Sequence, residues 1–155
     1  MATSVLPLIF AELTRRPSAR GYEQKLKGAF MSTKRPTLTV VVDEQVVFQS
    51  FGKWLHPLFE LEDHLSEHCI DLKHALLVDK VVGKAAALLM IHLGAGKVHG
   101  LLMSKLAMRS FEHYGIPYSF DHSIERIQCQ TELILEAIDE PEEAYQILRK
   151  RAQRD

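Results

Sequence analysis

Two periods of hydrophobic and polar positions run along this chain. In residues 37–51, "TLTVVVDEQVVFQSF", two β-branched runs flank the polar triplet Asp43-Glu44-Gln45, and this pattern predicts a β-hairpin with its turn at the triplet. After "GKWLH" the period lengthens. In "PLFELEDHLSEHC", Leu58, Leu61 and Leu65 recur at helical spacing with acids opposite them, and Pro57 suits a first helical position. "KHALLVDK" is then a short apolar run between polar ends, as in a strand buried on both faces, and "GKAAALLMIHLGAG" strings good helix formers together up to its glycines. The βα pattern repeats. "KVHGLLMS" predicts a strand, "SKLAMRSFEHYG" a helix with Ser104 as N-cap and Gly115 as its stop, and "IPYSFD" another strand. "QTELILEAIDEPEEAYQILRKRA" predicts two helices broken between Asp139 and Pro141.

This order places the chain in the α/β class, as a three-layer α/β/α sandwich whose mixed sheet begins with an antiparallel hairpin and continues with parallel strands. The N-terminal residues stand apart. "TRRPSARG" separates a short apolar segment from "YEQKLKGAFMST", which has the makings of one helix before Pro36. Residues 1–30 are therefore read as an extension or helix, Met31 as an alternative start, and residues 31–155 as a single domain.

Composition narrows the function. The 155 residues are 46% hydrophobic, enough for one sizeable core, and the formal net charge of -1 gives no overall field towards nucleic acid or lipid. Neither a nucleic-acid nor a membrane partner is expected. "MATSVLPLIFAEL" has no basic residues ahead of its apolar run and meets Glu12 early, so no signal peptide is read. Cys69 and Cys129 are too few and too far apart for a disulfide framework or a paired metal motif, and a cytoplasmic location follows.

The candidate chemistry lies in "DKVVGK", residues 79–84, where a strand gives way to a helix. Unpaired N–H groups and the positive end of the helix dipole stabilise an anion at such a junction. Gly83 leaves room for a ligand, Lys84 adds a point charge, and Asp79 and Lys80 are placed at the rim of the same crevice. A small anionic ligand is the expected partner. The plainer alternative has Gly83 making a tight turn and Lys84 solvated. Cys129 and Glu132, with Asp79 and Lys80, form a candidate catalytic set, against which Cys129 reads as a small buried side chain and Glu132 as a first-turn acid of its own helix. His56 and Glu60 lie four apart and read as a surface pair; His64, His68 and His74 have no metal-binding spacing.

"DKVVGKAAALL", "SKLAMRSFEHYGIPYSFD", the Cys129-x-x-Glu132 step and "DEPEEAYQIL" together resemble the prokaryotic domain-of-unknown-function family 1893, from about Thr37 to about Leu148. That family is similar in fold to the cytidine deaminases, so the resemblance implies a deaminase-like sandwich and brings no established reaction. The chain departs from the family's usual pattern at "IERIQCQTE", which lacks an Asn-Arg loop and has Gln130 where the family has proline. Zinc deaminases need His or Cys ligands at two helix starts, with a glutamate to move protons. "VVGKAAA" supplies none, and His56 with Glu60 lacks the required spacing, so no metal or other cofactor is expected. Three readings remain: a module binding an anionic, nucleotide-like small molecule through Asp79, Lys80, Gly83 and Lys84; a zinc-independent enzyme; and a homo-oligomeric interaction protein with a vestigial site.

Overall fold

A computed structural model describes residues 34–153. The hairpin forms from β1 (Leu38–Val42) and β2 (Gln45–Ser50). Asp43 and Glu44 both have positive φ, 50° and 65°, which gives the turn the twist that antiparallel strands require. A bulge between Val40 and Val41 shifts the pairing, so Val40 opposes Phe48 while Val41 opposes Val46.

Helix α1 (His56–Glu67) starts with proline in its first turn and buries Leu58, Phe59 and Leu61. A 3-10 turn, Leu72–His74, leads into β3 (Leu76–Val82), α2 (Lys84–Leu93), β4 (Lys97–Ser104), α3 (Lys105–His113) and β5 (Tyr118–Ile124). Two helices close the chain, α4 (Gln130–Ile134) and α5 (Pro141–Ala152). The sheet order is β2-β1-β3-β4-β5. β1 is antiparallel to both neighbours, and β3, β4 and β5 are parallel. Parallel neighbours need crossovers, which α2 and α3 provide, and crossovers of one hand progressing in one direction leave both helices on the same face. The expected alternation and mixed sheet are thus present.

Residues 84–90 of α2 are all buried, polar start included. Its neighbours explain this: the helix is flanked by α1 and α3, and α5 packs against it as well. Alanines at 85, 86 and 87 let those elements approach closely, and Ala144 and Leu148 of α5 join the same core. After α2 the chain turns through Gly94, at φ 89°, to Gly96, whose missing side chain lets the Lys73 carbonyl come close.

The strands and last helices differ in extent from the sequence-based expectation. β3 continues to Val82, so Asp79 lies in mid-strand and not at its end. β5 runs on to Ile124. α4 is short, and the chain leaves the helix at Leu135. Beyond it the Glu136 carbonyl accepts a hydrogen bond from Lys84 Nζ, and Glu140, which precedes Pro141, is extended at φ -79°, ψ 122° before the next helix begins. The possible helix before Pro36 lies outside the described residues.

Candidate functional site

At the β3–α2 junction, Gly83 is the N-cap residue and supplies no side chain to satisfy the first N–H groups of α2. Glu132 does so from α4. Its Oε1 accepts from the Lys84 backbone N–H at 3.1 Å and from Ser104 Oγ at 3.0 Å. Ser104 Oγ in turn accepts from Ala107 N–H at 3.1 Å, as the N-cap of α3. One carboxylate therefore joins the starts of two helices, and Glu132 is only 1% exposed. Glu132 does lie in the first turn of its own helix, as expected, and its carboxylate also serves helices that start 48 and 27 positions earlier. A Cβ on Gly83 would meet Ile127 Cγ1 at 3.1 Å and Glu132 Oε1 at 3.3 Å. The space read as room for an external ligand holds these two side chains.

Lys84 is likewise not the solvated residue of the plainer alternative. It is 5% exposed, and its ammonium donates to the Glu136 carbonyl at 3.1 Å and pairs with Asp139 Oδ1 at 2.8 Å. A buried ammonium needs such partners. The hydrogen bond and charge of Lys84, with a contribution from His113, hold the Asp139 carboxyl below the usual carboxylate range. Lys84 reaches a cavity of about 350 Å3 between α3 and the segment that joins α4 to α5. Leu106, Arg109, Ser110 and His113 of α3 form one wall, and Tyr114, Glu136 and Asp139 complete it. Tyr114 OH donates to the Asp139 carbonyl at 2.9 Å, which ties the joining segment to α3.

The charges around this cavity are unequally engaged. Glu136 is paired with Arg126 at 3.1 Å and Asp139 with Lys84. Arg109 is exposed, and its guanidinium makes no hydrogen bond or ion pair among the described residues. An unengaged guanidinium beside a buried ammonium suits a group that brings its own negative charge.

Of the four residues proposed from sequence for ligand binding, only Lys84 lines the cavity. Gly83 sits at the filled junction. Asp79, in mid-strand between Leu38 of β1 and Gly100 of β4, is 7% exposed; burial pushes its carboxyl up to about 7, against the N–H groups of Val81 and Lys80 and the Lys80 charge. Lys80 is half-buried. The placement of Asp79 and Lys80 at a crevice rim is therefore corrected. Cys129 and Cys69 are both exposed free thiols, against the expectation of a buried Cys129. His56 packs edge-on against Trp54, while Glu60 accepts from Ser50 Oγ, so each of the two has a partner of its own. His64 stacks on His68 with ring centroids 4.0 Å apart. Among the described residues, no three His, Cys, Asp or Glu side chains are grouped to hold a metal, and no helix is long and apolar enough to cross a membrane.

The cavity-lining residues Arg109, His113, Tyr114, Glu136 and Asp139 went unread in the sequence. One signal was available. Arg109, Ser110 and His113 lie within one helical turn of each other, so polar groups cluster along one side of α3.

The chain is thus an α/β domain with a five-stranded mixed sheet and a polar cavity against its α3 helix. Residues 29–151 match the model of the domain of unknown function DUF1893, and the chain belongs to that family. It is similar in structure to a DUF1893 family protein from Thermotoga maritima, at 25% identity and a TM-score of 0.69, with 88% of each chain covered. No curated protein matches it in sequence.

Proposed function

We propose that this domain binds a small anionic molecule in the cavity of Lys84, Arg109 and His113, on a deaminase-like scaffold without zinc chemistry. The sheet order and the single antiparallel strand β1 support the scaffold. At the β3–α2 junction stand glycine and lysine, where zinc-deaminase chemistry needs thiolate or imidazole. The binding reading rests on one observation: the unengaged Arg109 guanidinium faces the same cavity as the buried Lys84 ammonium. A volume of about 350 Å3 is at the small end of ligand pockets, which run from roughly 300 to 1,000 Å3.

The test is a titration of the isotope-labelled protein with inorganic phosphate, followed by amide NMR. Shifts centred on Ser110, His113 and Tyr114 that are lost in Arg109→Ala support the reading; Arg109 is exposed, so its removal leaves the core intact. Shifts scattered over the surface, or none, reject it. A second reading, an interaction protein with a vestigial site, draws support from the Glu132 carboxylate at the junction. That reading pairs an absence of anion binding with a concentration-dependent oligomer in sedimentation.

A further inference from the structure

Resting on that anion-binding reading, we infer that the ligand is a phosphate monoester whose phosphate displaces the Asp139 carboxylate from Lys84. The Lys84–Asp139 pair is lopsided: the lysine side chain is 6% exposed and the aspartate side chain 80%. Asp139 can therefore turn to water with little desolvation to oppose it, whereas the ammonium cannot leave. Whatever replaces Asp139 has to supply negative charge at the same place.

The number of cations selects the anion. With Asp139 displaced, Lys84 and Arg109 present two positive charges to one cavity, and His113 offers a further N–H. A carboxylate compensates one charge and has two acceptor oxygens. A phosphate monoester carries nearly two charges at neutral pH and has three terminal oxygens, enough for the Arg109 fork and the Lys84 point charge together. Glu136 does not compete, because Arg126 holds it. Leu106 and the Tyr114 ring supply an apolar flank for a small organic group. Release of Asp139 would also loosen the joining segment, leaving Tyr114 OH to the Asp139 carbonyl and Lys84 Nζ to the Glu136 carbonyl as its ties.

The experiment compares phenyl phosphate with benzoate at about pH 7.5, where the phosphate is dianionic. Calorimetry is run on the wild type, Asp139→Asn and Arg109→Ala. Phenyl phosphate is expected to bind the wild type at least tenfold more tightly than benzoate. Asp139→Asn is expected to gain about threefold to tenfold in affinity for phenyl phosphate, since the internal competitor is gone. Arg109→Ala is expected to lose tenfold or more. Equal binding of both probes, with dependence on Arg109, overturns the phosphate assignment and leaves the anion site standing. Unchanged or weaker phenyl phosphate binding in Asp139→Asn overturns the displacement. Failure of both probes to bind any of the three proteins overturns the anion site itself.

Discussion

The backbone N–H of Lys84 donates to Oε1 of Glu132, 48 positions away, across 3.1 Å of buried space. This bond decides what the β3–α2 junction is: a helix start already supplied with a carboxylate by the chain itself. Glu132→Ala strips a partner from the Lys84 N–H and from Ser104 Oγ, both buried. A loss of roughly 2–4 kcal/mol in folding free energy is expected, read as a lower urea midpoint. Ser104→Ala also removes the α3 cap, and the double mutant should lose less than the sum of the two single changes because they share one network. Full additivity would mean that the two helix starts are not coupled through this carboxylate.

Gly83 adopts ordinary extended φ, so only space demands glycine there. An alanine methyl at this position would lie 3.1 Å from Ile127 and 3.3 Å from Glu132, and Gly83→Ala should cost about 1–2 kcal/mol. Removing the contacting atom in Gly83→Ala/Ile127→Ala should cost less in thermal unfolding than the sum of the two single changes. Full additivity would mean that crowding against Ile127 is not the cause.

Asp79 should make stability depend on pH. Its folded pKa, about 7, is raised above the ordinary 3.8, so the folded chain binds the proton more tightly than the unfolded chain. Stability contributed by the neutral form is complete below about pH 4 and is lost as pH rises towards 7. Asp79→Asn should therefore be more stable than the wild type above pH 7, by up to about 4 kcal/mol, with the advantage fading towards pH 4. Denaturant titrations at the two extremes measure it; a pH-independent difference would mean that the carboxyl is ionised throughout.

Gly96 is the position least able to accept a side chain. A Cβ there would sit 1.9 Å from the Lys73 carbonyl oxygen, while the Gly96 N–H donates to the Leu72 carbonyl at 2.8 Å, so the backbone cannot withdraw without losing that bond. Gly96→Ala should cost about 3 kcal/mol or prevent folding. Gly115 meets nothing within 4 Å, and Gly115→Ala should cost only about 1 kcal/mol, from its positive φ of 68°. Thermal melts of the two variants make the comparison.

Much of the fold was legible because it is written in local patterns. The turn at Asp43 and Glu44, proline at the start of α1, the Ser104 cap and the glycine stops at 94 and 115 all act over a few residues, and each is where periodicity placed it. The candidate site was legible in smaller part. Lys84 was singled out for its position at a helix start, which is correct, but the direction of its side chain depends on Glu136 and Asp139, more than 50 positions later.

The sequence by itself determined the alternation of strands and helices, the hairpin and the absence of zinc ligands at the β3–α2 junction, because residue type and spacing settle these directly. Only the tertiary structure decided that Glu132 fills that junction, that α4 stops at Ile134, that Asp79 is buried in mid-strand, and that Lys84 opens onto a cavity with Arg109. The physical reason is the same for all four. Each outcome is set by burial and by hydrogen bonds between segments far apart in the chain, and a polar side chain takes its partner from whatever the fold brings within about 3 Å.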